Sequence, residues 1–141
     1  MPHSVDEAAQ RAELLERKAH DAIEELHLKD AVGLLGAALA IREAYQGEAH
    51  PDLIWTLSLW IYALRREHRP ESALEAARLG ERRLLLRRTA LAGAPDELVH
   101  SLRALIDIYT FEGQVLDAHR VDELWHDLAA FPAAGRAQGE A

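Results

Sequence analysis

The chain has 141 residues, of which 49% are hydrophobic, and it carries a formal net charge of -8 with no cysteine. The length suits one domain with a modest core, and the hydrophobic content excludes an intrinsically disordered chain. The lack of cysteine excludes disulfides, zinc–thiolate sites and thiol catalysis.

No apolar stretch approaches the ~20 residues that a membrane-spanning helix needs, because charged residues interrupt every hydrophobic run. Residues 1–13 lack the basic and apolar regions of a signal peptide. We therefore expect a cytoplasmic protein with no membrane partner.

Apolar residues recur at intervals of three and four along most of the chain, and glycine and proline fall at the breaks. This pattern predicts an all-α protein with about six helices. Ser4 and Glu7 fit a capping box at the first helix, and Pro51 and Pro95 suit first helical positions. The expected helices run from Ser4 to about Leu26, from Asp30 to Tyr45, from Asp52 to Glu67, from Glu71 to about Leu91, from Pro95 through Tyr109, and from about Val115 to Ala130.

Two stretches of the chain share one pattern, Gly47–Ala73 and Gly93–Ala118. In each, a turn with proline precedes an apolar helix, and a short turn then leads to an alanine near the start of a second helix. Helices joined by such short turns lie antiparallel, and neither buries its apolar face alone. The pattern predicts a helical repeat domain over residues 1–131 and a disordered C-terminal tail at 132–141.

Gly33 and Gly36 interrupt the second expected helix, where each lowers the helix propensity by roughly 1 kcal/mol relative to alanine. Because glycine is tolerated in a helix where a side chain would not fit, we expect both residues to mark points of close packing.

Alanines at the starts of the second helices, Ala31, Ala73 and Ala118, are 42 and 45 residues apart. With the His-Pro pair before the next hairpin, this spacing resembles the tetratricopeptide repeat (TPR) family, and more narrowly the longer repeats of kinesin light chain. The segment Leu39–Trp60 is similar to the junction between such repeats. The resemblance covers roughly residues 12–130 and implies a right-handed superhelical stack of three TPR-like antiparallel helical hairpins.

In the TPR arrangement the first helix of each hairpin lines a concave surface. The resemblance therefore implies a non-catalytic interaction module that binds a peptide or an acidic segment of a protein partner on that face. Its groove positions fall on Glu13, Glu16 and His20, on Trp55, Ser58, Tyr62, Arg65 and Arg66, and on His100, Arg103, Asp107 and Thr110. The predicted partner-binding residues among them are Trp55, Ser58, Tyr62, Arg66, His100 and Arg103.

Trp55 and Tyr62 lie seven residues apart and so share one helical face, away from the expected core stripe. Aromatic side chains beside arginines suit an anchor site, since they bury a large area at low entropic cost and arginine binds carboxylates. The alternative is that both aromatic residues pack against the neighbouring hairpin.

Residues 65–88 hold eight of the sixteen Lys and Arg against four carboxylates. This basic band, with Arg78–Arg88 as its densest part, could attract an acidic segment of a partner or phosphate, or it could pair with a second copy of the chain. The alternative is a solvated helix with i, i+4 ion pairs. The edge of the last helix at Trp125 is another candidate homodimer surface. Nucleic acid is not expected, because the net charge is negative and no aromatic residues interleave with the band.

Two trios of histidine, glutamate and histidine share the i, i+4, i+7 spacing, His20/Glu24/His27 and His119/Glu123/His126. Such trios could hold a divalent metal, but seven residues rise by roughly 10 Å along a helix, which is long for one ion. We predict no metal site and no cofactor. The chain has no glycine-rich phosphate loop or nucleophile motif, so no enzymatic activity is expected. The alternatives to a peptide-binding module are a self-associating scaffold or adaptor and a small-molecule or metal-responsive regulator.

Overall fold

Six α-helices and one short β-hairpin make up the described part of the chain, residues 4–90 and 94–131 of a computed structural model. The tail predicted at 132–141 lies outside these residues. In chain order the elements are α1 (Val5–Glu24), α2 (Leu28–Gln46), α3 (Leu53–Arg66), α4 (Pro70–Ala90), α5 (Pro95–Ile108), β1 (Thr110–Phe111), β2 (Gln114–Val115) and α6 (Ala118–Ala129).

Local hydrogen bonds and prolines explain where several helices begin. The hydroxyl of Ser4 accepts a hydrogen bond from the Glu7 amide at 3.1 Å, which confirms the cap predicted for α1. The helix α5 begins at Pro95, also as predicted. The prediction for Pro51 was wrong by two residues, because Pro51 lies in a turn and α3 begins at Leu53.

Each helix packs against the next one along the chain, and α1 also contacts α3. The pairs α1–α2, α3–α4 and α5–α6 therefore form three helical hairpins in sequence order, and the predicted all-α stack is confirmed. Trp60 of α3 packs against all three clusters of buried residues. The hairpins consequently share one continuous core.

Most residues of the predicted apolar stripes are buried, among them Ile23, Leu35, Leu57 and Leu102. Leu26 is an exception with 61% of its surface exposed, because it lies in the turn after α1 with a positive φ of 62°. Within the described ranges, no helix combines the length and the apolar character that a membrane crossing requires.

The connection between α5 and α6 differs from the predicted simple turn. Thr110 pairs with Val115 and Phe111 with Gln114 in a two-residue antiparallel hairpin. Glu112 and Gly113 at its tip both have positive φ, 50° and 78°, which is the requirement of a type I′ turn. The sixth helix therefore begins at Ala118, three residues later than predicted, after the Asp117 side chain accepts from the Arg120 amide at 3.0 Å.

The glycines of α2 do not mark close packing as a pair. A Cβ at Gly33 would meet no atom within 4 Å, so the prediction for this residue was wrong, and a Cβ at Gly36 would make an ordinary contact with Trp60 at 3.7 Å. The tight approach is at Gly80 of α4, where a Cβ would lie 2.8 Å from Leu105 Cδ1 and 3.3 Å from Ile108 Cδ1. Glycine is thus required at the α4–α5 crossing.

We predict opposite effects of alanine at Gly33 and at Gly80. Gly33→Ala should raise the free energy of unfolding by up to ~1 kcal/mol, because helix propensity improves and no contact is disturbed. Gly80→Ala should lower it by ~1–3 kcal/mol, since the fully buried Leu105 must move against Ile108. Urea denaturation of both variants measures this, and equal stability of the two would contradict the packing described for Gly80.

A hydrogen-bonded carboxylate joins α4 to the last hairpin. Glu81 accepts two hydrogen bonds from the Arg120 guanidinium, both at 2.7 Å, and one from the Tyr109 hydroxyl at 2.5 Å. Burial raises the pKa of Glu81, but the hydrogen bonds from Arg120 and Tyr109 outweigh burial, and the pKa falls below its ordinary value of 4.5. The ionised form of Glu81 therefore stabilises the fold.

Because the pKa of Glu81 is lower in the folded chain than in the unfolded chain, its contribution to stability is present above about pH 4.5 and is lost as the pH falls through the folded value. Glu81→Gln should therefore lower the free energy of unfolding at pH 7. The difference in this free energy between the variant and wild type should become smaller below pH 4.5. Urea denaturation across this range is the measurement. The control is Glu75→Gln, because the exposed pair of Glu75 with Arg78 on the same helix should contribute little to stability at any pH. A loss of stability in Glu81→Gln that stays constant with pH would contradict a stabilising role of the ionised Glu81 carboxylate.

Candidate functional site

A groove with a volume of about 980 Å³ runs along α1 and α3 and reaches α4 and α5. The first helices of the three hairpins supply most of its lining, and α2 and the turn before α3 supply most of the rest. Most of the lining side chains are polar or charged. The groove is lined by Ala9, Glu13, Glu16, Arg17, His20, Asp21, Arg42, Pro51, Asp52, Ile54, Trp55, Ser58, Arg87 and Glu97.

Trp55 and Ser58 are the predicted partner-binding residues that line this groove, together with the predicted face residues Glu13 and His20 of α1. Trp55 is 57% exposed. Its exposure excludes the alternative in which the neighbouring hairpin buries the indole. Trp55 and the predicted face residues of α1 therefore face the same groove.

The other predicted partner-binding residues lie outside this groove. Tyr62 is 41% exposed, and its hydroxyl accepts a hydrogen bond from Arg66 at 2.8 Å, with the guanidinium 5.5 Å from the ring centroid. His100 and Arg103 are exposed on α5. Tyr62 and Arg66 thus bond to each other, and the six predicted residues do not all line this groove.

A buried ion pair forms part of the groove wall. Arg42 of α2 donates to both carboxylate oxygens of Glu16, at 2.9 and 2.8 Å, and the Thr56 hydroxyl of α3 donates to the same carboxylate. Glu16 is 3% exposed and Arg42 is 7% exposed. Glu16 therefore lines the groove with both carboxylate oxygens already bonded within the chain. The hydrogen bonds to Glu16 raise the pKa of Arg42 against the opposing effect of burial.

The same arginine connects this wall to the turn before α3. The third guanidinium nitrogen of Arg42, Nη1, lies 3.8 Å from the Asp52 carboxylate, which also accepts a hydrogen bond from Gln46 at 2.7 Å. Asp52 lies just before α3, one turn of helix ahead of Trp55. The network consequently fixes the helix that carries the exposed indole.

Two arginines of α4 extend toward α3 and α5. Arg83 donates to the Ser58 hydroxyl at 3.1 Å, and Arg87 donates to the Ser101 hydroxyl at 2.6 Å. Burial, followed by the nearby charges of Arg87 and Arg65, lowers the pKa of Arg83 to about 10. Sequence reasoning placed both residues in the basic band and did not separate them from its other members.

Other arginines of the basic band are neutralised within the chain. Arg78 pairs with Glu75 at 2.9 Å, Arg82 with Glu43 at 2.7 Å and Arg88 with Asp127 at 2.9 Å. Arg65, near the start of the band, pairs with Asp107 at 3.0 Å and so links α3 to α5. The sequence cluster is therefore not a continuous positive surface.

The two histidine trios form only pairwise contacts. His20 lies 3.9 Å from Glu24 and His119 lies 3.9 Å from Glu123, and all four side chains are solvent-exposed. Over the described ranges 4–90 and 94–131, no three His, Cys, Asp or Glu side chains are grouped so that they could hold a metal ion.

The comparisons with known proteins do not extend this description. No protein-family model matches the chain, and no curated protein matches it significantly.

Replacing Arg42 by methionine should leave the Glu16 carboxylate buried without its partner and lower the free energy of unfolding by ~3–5 kcal/mol. The double variant Glu16→Leu/Arg42→Met should recover much of this loss, because no charge then remains buried. Urea denaturation followed by circular dichroism measures both. The matched control is Arg17→Met, an exposed groove arginine that should change stability by ~0.5 kcal/mol or less; an equal effect of Arg17→Met and Arg42→Met would refute the buried pair.

Proposed function

We propose that this protein is a non-catalytic protein–protein interaction module of the TPR type that binds a peptide segment of a partner in the groove beside Trp55. The observation that carries this proposal is the exposed indole of Trp55 at the edge of a large polar groove. The stack of helical hairpins, with first helices along the groove, supports the TPR-type interpretation.

The lining of the groove fits a peptide better than a small molecule. Small-molecule pockets of ~300–1,000 Å³ are lined mainly by apolar side chains, whereas this groove is lined mostly by charged and polar ones. Glu13, Asp21 and Arg17 on α1 offer partners to the side chains and amides of an extended chain. Trp55 supplies the apolar contact, which a peptide can cover with one large side chain.

The groove is also held in shape before any ligand arrives. Glu16, Arg42 and Thr56 join α1, α2 and α3 through buried hydrogen bonds. A site that is already ordered loses less conformational entropy on binding, which raises the affinity for a given set of contacts. The network thus supports recognition by fixing the wall of the groove.

The chemistry of the groove hydroxyl supports a non-catalytic role. Ser58 donates its proton to the Ile54 carbonyl at 2.7 Å and accepts from Arg83. An activated nucleophile would instead donate to a general base such as histidine. Ser58 is therefore arranged as a structural hydrogen-bonding group.

Self-association of the scaffold is the second candidate, and exposed Trp125 is the observation in its favour, since 54% of its surface is accessible on α6. The basic band is the weaker of the two predicted dimer surfaces, because Arg78, Arg82 and Arg88 already have carboxylate partners in the same chain. Peptide binding is preferred because Trp55 adjoins a groove.

Selection of peptides from a displayed random library against the purified protein tests the groove. We expect the selected peptides to bind Trp55→Ala about 30-fold more weakly than wild type, because an anchoring aromatic residue typically contributes ~2 kcal/mol or more. Fluorescence anisotropy with labelled peptides gives the dissociation constants.

Trp125→Ala is the matched control, since Trp125 is as exposed as Trp55 but lies on α6. Peptide affinity should be unchanged in this variant, and light scattering should show one mass for all three proteins. Peptides that lose affinity with Trp125→Ala and keep it with Trp55→Ala would overturn the proposed groove.

A further inference from the structure

Arg83 and Arg87 are one helical turn apart on α4, and each reaches a serine on a different first helix. Ser58 of α3 accepts from Arg83, and Ser101 of α5 accepts from Arg87. Each serine hydroxyl donates its own hydrogen bond to the backbone carbonyl four residues earlier, at 2.7 Å for Ser58 and 2.9 Å for Ser101. The two guanidinium groups are thus positioned by neutral acceptors in matching arrangements.

Within the described part of the chain, neither arginine has a carboxylate within 4.0 Å, although Arg78, Arg82 and Arg88 of the same helix all do. The Nε atoms of Arg83 and Arg87 are buried without an acceptor. Burial, and after it repulsion by the charges of Arg87 and Arg65, lowers the pKa of Arg83 to about 10. Both side chains are partly buried, and cations withdrawn from water are costly unless an anion compensates them.

The position of the pair connects it to the groove. Arg87 and Ser58 both line the groove, and Ser58 is the residue that holds Arg83. Glu97, which lines the groove near this end, forms no ion pair with Arg87. An anion in the groove can therefore contact Arg87 directly, and it lies beside Ser58, the hydroxyl to which Arg83 donates.

We propose that Arg83 and Arg87 form an oxyanion site that binds a carboxylate or phosphate group of the bound peptide. Guanidinium groups present planar forks of N–H donors that match both anions. After the bonds to serine, both arginines retain donors for the oxygens of a ligand. The inference rests on the proposed function for the molecule that carries the anion, but the site itself is testable with small anions.

The test is a titration of ¹⁵N-labelled protein with inorganic phosphate or with acetate, at constant ionic strength in chloride, followed through the arginine Nε–Hε resonances. We expect saturable shifts of the Arg83 and Arg87 signals and none for Arg78, which is exposed and paired with Glu75. A response to phosphate alone assigns the site to a phosphoryl group, and a response to both anions assigns it to carboxylates as well.

Arg83→Gln and Arg87→Gln should each weaken the anion response of the remaining arginine by about tenfold or more, whereas Arg78→Gln removes the same charge from the same helix and should leave it unchanged. Circular dichroism verifies that each variant is folded, and Arg87→Lys offers a milder second variant if Arg87→Gln is not. Equal weakening by all three glutamine variants, or shifts that grow linearly without saturation, would overturn the oxyanion site.

The outcome is separable from that of the peptide experiment. Peptides that require Trp55 but no response to either anion would reject the oxyanion site and leave the groove in place. A saturable anion response in a protein for which no peptide depends on Trp55 would keep the site and reject the proposed peptide groove.

Discussion

A carboxylate in the protein interior, Glu16, constrains how the first three helices meet. An unpaired buried charge costs several kcal/mol, so both oxygens must be bonded, and the bonds come from Arg42 of α2 and Thr56 of α3. Bidentate bonding fixes the orientation of both groups. The rotation of α1 and α3, and with it the direction in which Trp55 points, therefore depends on this one carboxylate.

The helices could be predicted from sequence because their signals are local. Apolar spacing, the Ser4 cap and Pro95 all act within one or two turns, and the structure has helices at all six expected places. The predicted helix boundaries are wrong where a few residues determine which of two local structures forms. The segment before α6 carries the side chains of a helix start, but the positive φ of Glu112 and Gly113 forms a β-hairpin first, and a glutamate at such a position gives little warning.

The site was predictable only in part, because its geometry depends on contacts between distant residues. The place of Trp55 off the apolar stripe was compatible with exposure but left packing against the neighbouring hairpin open, whereas Glu16 was placed in the groove from its position in the repeat alone. A signal was present, since Glu16 falls between Ala12 and Ala19 on the buried stripe of α1, and Arg42 falls on that of α2. Opposite charges on the buried stripes of two paired helices indicate a buried ion pair. The charge of a residue, without its position on the stripe, does not indicate one.

The arginines of α4 show that a cluster in sequence can serve two purposes in space. Neighbours in a helix point about 100° apart, so Arg82 meets Glu43 of α2 whereas Arg83 meets Ser58 of α3. The pairs with carboxylates fix α4 against its neighbours. An apolar residue in place of Arg83 or Arg87 would remove the partly buried charge, and a carboxylate in place of the serine would pair with it. The chain instead keeps two cations with hydroxyl partners beside the groove, and such departures from the most stable arrangement are expected where a ligand supplies the missing charge.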